Sequence, residues 1–263
     1  MKRNRIIYIV IVSVVCLLAS CEKVIDLKLD TSSSAIVIQG NVFDHPGPYA
    51  VKISKTVDFT DANTFPPVTD AKVSISDNVG NSELLTQSEA GTYLTSKLRG
   101  VPGRTYTLKV EIQGKIYTGS STMPAAVGID TVYFRKNIFD EGNQTVLEFR
   151  DPIDVDNYYR VLEFVNDTLR PGFYIGNDKL YQGQEIVFTI SSTSINSNDP
   201  LKTGAKIRLQ LECIDKNVFE YFRTSRGNNG QAASPANPVS NLSEGVLGYF
   251  NACSVREASI TVP

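Results

Sequence analysis

The chain contains no tryptophan, two methionines and a single histidine, His45. That shortage narrows the chemistry. A serine-type nucleophile needs a neighbouring base, usually histidine, and His45 lies in Asp44-His-Pro-Gly-Pro48, a turn-forming string. A zinc site needs three or four N, S or O ligands, which one histidine and two separated cysteines do not readily supply. No glycine-rich loop of the phosphate-cradling kind is present. There is also no cluster of basic residues. The 26 Lys and Arg face 28 Asp and Glu, and three of the cations (Lys2, Arg3, Arg5) sit in the first five residues, leaving 23 against 28. Nucleic-acid affinity rests on phosphate neutralisation, so this balance argues against such a partner. Glycoside hydrolysis needs only two carboxylates, and nothing marks a particular pair.

What is present begins at the N-terminus. Met-Lys-Arg-Asn-Arg is followed by an apolar stretch from Ile6 to Ala19, then Leu18-Ala19-Ser20-Cys21. A basic start, a short apolar run and a small-residue cleavage site form a secretory signal over 1–21. The run is too short for a stable membrane span. The cysteine after Leu-Ala-Ser resembles a bacterial lipobox, in which the Cys21 thiol is acylated and becomes the mature N-terminus. Residues 22–34 then read as a tether. Cleavage removes Cys16 and lipid occupies Cys21, leaving Cys213 and Cys253. An exported chain meets an oxidising compartment where that pair can bridge. Closing a loop of about 40 residues would stabilise by roughly 3–4 kcal/mol; the alternative is two buried free thiols.

Beyond the tether, period-2 alternation dominates. Tyr106-Thr-Leu-Lys-Val-Glu-Ile112 puts apolar residues on one face and Thr107, Lys109 and Glu111 on the other. About seven such strands over 35–123 indicate an immunoglobulin- or transthyretin-like β-sandwich. The aperiodic Met123-Pro-Ala-Ala-Val-Gly128 marks a boundary. A second β domain is expected over 129–263, with Ile207, Leu209, Leu211 and Cys213 sharing an inward face and a closing strand at 258–262. One amphipathic helix, 215–226, interrupts it: Asp215 is placed to cap Asn217 or Val218, and Val218, Phe219 and Phe222 fall at helical spacing toward the core. The polar stretch 227–245 is a long loop, a class often functional or disordered. The expected fold is mostly β, two sandwich-like domains in tandem.

Three groups are candidate sites. Asp151, Asp154 and Asp156 alternate in a loop and could wrap Ca²⁺, but the central glycine and distal glutamate of an EF-hand loop are missing, so the reading adopted is a solvated inter-strand loop with no metal. Phe173, Tyr174 and Tyr181 surround a Gly-Asn-Asp turn, and aromatics of this kind serve binding surfaces. Asn228, Asn229 and Asn237 lie in the long loop, the remaining candidate contact region.

Several segments in order along the chain resemble one family. They are Cys21-Glu-Lys-Val-Ile-Asp-Leu27, Pro46-Gly-Pro-Tyr-Ala-Val-Lys-Ile-Ser54, Ala71-Lys-Val-Ser-Ile75, Gly100-Val-Pro-Gly-Arg-Thr-Tyr-Thr-Leu108, Gly114-Lys-Ile-Tyr117, Asp156-Asn-Tyr-Tyr-Arg160 and Asn241-Leu-Ser-Glu-Gly-Val-Leu-Gly-Tyr-Phe250. Together they look like the DUF4249 lipoproteins of Bacteroidetes. The resemblance brings no catalytic or binding residues with it. Members are often encoded beside TonB-dependent outer-membrane transporters, which implies an accessory to uptake. The expectation is therefore a non-enzymatic outer-membrane lipoprotein, on the periplasmic or cell-surface face, that binds such a transporter or its small nutrient ligand and needs no cofactor. Glu22 followed by Lys23 is a short version of the acidic signal that directs such lipoproteins to the surface. The alternatives are a fimbrillin-like structural or adhesive protein, for which residues 22–40 lack the arginine of the processing site, and a carboxylate-based glycan hydrolase.

Overall fold

Strand alternation in the sequence becomes sixteen strands and one helix in the computed structural model, which describes residues 34–57, 64–136, 143–190, 201–226 and 236–263. In chain order these are β1 (Ile36–Phe43), β2 (Ala50–Lys55), β3 (Lys72–Asp77), β4 (Ser82–Leu84), β5 (Thr86–Glu89), β6 (Thr92–Leu94), β7 (Thr105–Ile112) and β8 (Lys115–Thr122). There follow β9 (Thr131–Lys136), β10 (Asn143–Arg150), β11 (Tyr158–Val165), β12 (Thr168–Leu169), β13 (Tyr174–Asn177), β14 (Glu185–Ile190), β15 (Lys206–Ile214), α1 (Lys216–Arg226) and β16 (Val246–Thr261). The fold is mostly β, as the periodicity requires.

A nine-stranded sheet forms the backbone of the molecule, in the order β12-β11-β15-β16-β1-β2-β6-β5, with β13 also on β11. A four-stranded sheet, β4-β3-β7-β8, backs its β1/β2 half, and a three-stranded sheet, β14-β10-β9, backs its β11/β15 half. The first core holds Ile38, Val51, Ile53, Ile75, Leu108 and Val110 and extends to Met123; the second begins at Val127 and holds Leu147, Phe149, Val161, Leu209 and Leu211. The first core also takes Leu242, Val246, Phe250 and Ala252 from the C-terminal stretch, and residues 34–263 form one compact unit, because both cores rest on one shared strand.

That strand is β16. Its first half runs parallel to β1, from Ile36 opposite Val246 to Phe43 opposite Cys253. Its second half is antiparallel to β15, from Cys213 opposite Ser254 to Lys206 opposite Thr261. Even-numbered residues enter the cores: Val246, Phe250 and Ala252 the first, Ile260 the second. Odd-numbered Tyr249, Cys253 and Val255 face α1 on the other side. Only the end of this strand, 258–262, is expected from alternation. Residues 250–255 are buried on both faces, so their sequence carries no period of two. Gly248 is obligatory at its position: φ is +99°, and a Cβ there would stand 1.9 Å from the Ile38 carbonyl oxygen.

The helix follows its sequence signals. Asp215 Oδ1 accepts the backbone N–H groups of Asn217 (2.8 Å) and Val218 (3.0 Å). Its other oxygen accepts from the Ser121 hydroxyl and from the Thr122 N–H at 3.2 Å, so the cap ties the helix to β8. Val218, Phe219 and Phe222 are buried as spaced. Across the polar stretch, Asn241 bonds Ser120 O and Phe250 O through Nδ2 (3.0 and 2.6 Å) and closes the gap between β8 and β16.

Candidate docking surface

Two loops cross between the sheets at the same edge of the second sandwich. Residues 151–157 lead from β10 to β11, and residues 178–184 lead from β13 to β14. Because Arg150 pairs with Glu185 and Tyr158 with Asn177, the loops are held side by side at both ends. Buried acids pin them. Asp151 accepts from Tyr159 Oη at 2.5 Å and from the Gly183 N–H at 3.2 Å, and its own N–H reaches Gln184 O at 2.9 Å. Asp178 Oδ2 accepts the Asn157 N–H at 2.8 Å, and the Asp178 N–H returns to Asn157 O at 3.2 Å. Burial, reinforced by Asp151, raises the Tyr159 phenol far above its ordinary value and keeps it a donor.

With the acids turned inward, the loops present apolar side chains outward: Leu180 is 82% exposed, Ile153 69%, Val155 55% and Tyr181 49%. Ile153 lies against Gly183, within 3.4 Å of where a Cβ there would stand. Covering an isoleucine, valine or leucine fully contributes about 1.5–3 kcal/mol each. Exposed apolar groups gathered on anchored loops make these loops the candidate interaction surface.

The sequence candidates divide against this geometry. Tyr181 belongs to the surface. Phe173 does not: its ring stacks edge-on with Phe222 (centroids 5.0 Å apart), its carbonyl accepts from Arg226, and it completes the helix packing. Tyr174 is half-buried against the second core. Asn237 is exposed, while Asn228, Asn229 and the lipidation candidate Cys21 lie outside the described residues. The three aspartates named as a weak calcium candidate are not brought together. Asp151 is spent inside on Tyr159 and Gly183 while Asp154 and Asp156 are exposed, and among the described residues no three His, Cys, Asp or Glu are grouped to hold a metal.

The disulfide expectation is corrected: Cys213 and Cys253 are both free and buried. Cys213 pairs directly with Ser254, so it shares a face with residue 254 and opposes residue 253. It lies in the second core, Cys253 beneath the helix. Bridging them would require turning a strand over. Burial pushes the Cys213 thiol up to about 11 and that of Cys253 well above its ordinary value, so both are poor nucleophiles.

Sequence reasoning missed Ile153, Val155 and Leu180. Their signal was legible as isolated apolar residues inside polar turn strings, Pro-Ile-Asp-Val-Asp and Asp-Lys-Leu-Tyr, where a core role has no periodicity to support it. It also missed a buried ion pair under the helix. Arg160 and Glu212 are direct cross-strand neighbours, joined at 2.6 and 2.7 Å, with the guanidinium 4.1 Å from the Phe222 ring centroid.

In the first sandwich a cleft of about 550 Å³ is lined by Asp77, Glu83 and Arg104, among others. Burial pushes the Glu83 carboxyl upward, but hydrogen bonds from Ser96, Leu98 and Lys97 outweigh it and hold the group below its usual range. Asp77 is held down the same way by Asn81, Val79 and Arg104. A glycosidase needs one acid raised; these two are both lowered and committed to turns.

Comparison with known families matches residues 22–259 to DUF4249, a domain of unknown function. The chain belongs to the DUF4249 family. The match takes in both sandwiches, the helix and the loop pair, so the shared β16 lies almost wholly within the family's extent. No curated protein matches the chain.

Proposed function

We propose that this DUF4249 chain is a lipid-anchored outer-membrane protein of Bacteroidetes type that acts by binding rather than catalysis. The loop pair 151–157 and 178–184 would dock a TonB-dependent transporter, or hold the small nutrient that the transporter imports. The observation that carries the reading is the display of Ile153, Val155, Leu180 and Tyr181 on loops anchored by buried acids. A rigid apolar surface loses little conformational entropy on association. Support for the anchor comes from the signal-like residues 1–21 and Leu-Ala-Ser-Cys21; no helix among the described residues is long and apolar enough to cross a membrane.

The test is affinity purification from the native membrane in mild detergent, comparing wild type with an Ile153→Asp/Leu180→Asp variant. Wild type is expected to recover one transporter in equal amount, and the variant to lose it while keeping the Cys21 lipid and the wild-type melting curve. Recovery of the same transporter by the variant, or of neither a transporter nor a bound nutrient by wild type, overturns the reading.

A further inference from the structure

The end of the first sandwich where the described chain begins carries a second exposed apolar group, and we infer that this end docks on an anionic lipid headgroup surface. The inference rests on the lipid-anchor reading above and extends it from Cys21 to the folded body. Its geometry starts at residue 34. The Ser34 hydroxyl donates to Thr56 O and the Ala35 N–H to Thr56 Oγ1, both at 2.9 Å, while the Thr56 N–H returns to Ala35 O at 2.9 Å. The chain therefore meets the body beside Lys55. Twelve residues, Glu22 to Ser33, separate residue 34 from Cys21. Covalent geometry limits that separation to about 45 Å.

At this end lies a cleft of about 650 Å³ whose walls include Ile36, Val68, Ile112 and Tyr117, with Lys55 and Lys115 at its margin. Phe65 is 55% exposed and Ile116 51%. Phe65 is held near Lys55 because the Lys55 N–H donates to Pro66 O at 2.9 Å, and Ile116 adjoins Lys115 in the β7–β8 hairpin. Neither lysine pairs with a carboxylate among the described residues; Lys115 Nζ lies over the Tyr117 ring, 5.2 Å from its centroid. Asp70, the acid of the cleft, accepts from Gln113 Nε2 at 3.3 Å. Glu111 pairs across from Ile116, but apolar tips beside lysines that make no ion pair among the described residues match the headgroup boundary, where apolar side chains enter the acyl margin and ammonium groups meet phosphates. The loop pair is set apart: the level of Tyr158 on β16 is seven residues from Val246, about 23 Å of strand, so docking at one face leaves the other open.

The chain has no tryptophan but 12 tyrosines, so Phe65→Trp and Ile116→Trp each introduce a sole tryptophan at a surface position, excited selectively at the red edge beyond tyrosine absorption. The acylated full-length variants are reconstituted into vesicles of phosphatidylethanolamine and phosphatidylglycerol, with or without brominated acyl chains. Both fluorophores are expected to be quenched by bromine, and Leu180→Trp on the loop pair is expected to remain unquenched. Adding Lys55→Gln or Lys115→Gln to the Phe65→Trp chain should lower the docking constant about fivefold each. If the chain does not float with vesicles, the anchor reading fails and this inference with it. If it floats but neither fluorophore is quenched, docking alone is overturned. Protection of both by a cross-linkable dimer rather than by lipid would assign the face to a second copy and overturn it equally.

Discussion

The two cores handle buried polarity in different ways. In the first, tyrosine hydroxyls bridge backbone groups. Tyr49 donates to His45 O and accepts from Gly100 N–H; Tyr93 donates to Val68 O and accepts from Ala71 N–H; Tyr106 donates to Arg99 O and accepts from Val101 N–H. In the second region, which takes in the loop edge and the layer beneath α1, the buried polar residues include charged or acidic ones: Asp151, Arg160, Glu163, Asp178 and Glu212. A neutral hydroxyl satisfied on both sides costs little to bury, whereas a charge must find its partner or shift its protonation. The first region is thus built for indifference to its surroundings. The second depends on specific pairs, and two of its acids fix the loops that carry the exposed apolar residues.

The largest effect should come from breaking a pair. Arg160→Met leaves Glu212 buried and uncompensated and should lower stability by about 3–5 kcal/mol in urea unfolding, while Arg160→Met/Glu212→Leu should return close to wild type. A single-variant loss no greater than that of a first-core tyrosine would erase the contrast.

Glu163 offers a pH-dependent version. Its Oε1 has no hydrogen-bond partner, and burial pushes the carboxyl up to about 7 against the opposing pull of Arg170, whose guanidinium lies at 3.9 Å, beyond hydrogen-bond range. The folded state then keeps a proton that the unfolded chain has lost. The contribution of this one group is fully present below pH 4.5 and is lost as pH rises through about 7, a change of roughly 3 kcal/mol. Glu163→Gln should flatten that decline and be the more stable protein at alkaline pH; an unchanged profile in denaturation at several pH values would refute it.

In the first core, Tyr106→Phe leaves two backbone groups without their bridge and should cost about 1 kcal/mol, with no dependence on neutral pH. Smallest of all, Ile153→Ser and Leu180→Ser should each shift stability by less than about 0.5 kcal/mol, since both side chains are largely exposed. A larger loss in thermal unfolding would show that the loop tips belong to the fold rather than to a partner.

What could be read from the sequence is what short-range spacing controls. Strand faces such as Tyr106 to Ile112, the Asp215 cap and the Val218/Phe219/Phe222 stripe depend on neighbours a few residues away, and each appears in the structure as spaced. The rest depended on pairings across long separations. That β1 joins β16, more than 200 residues later, decides that two sandwiches share one strand. That Cys213 opposes Ser254 decides that the thiols face apart, and that β10–β14 and β11–β13 pair decides that two unrelated turn strings form one surface. The sequence by itself determined which residues could face inward, because alternation is local. The tertiary structure alone decided which inward faces meet, because register is a property of two strands at once.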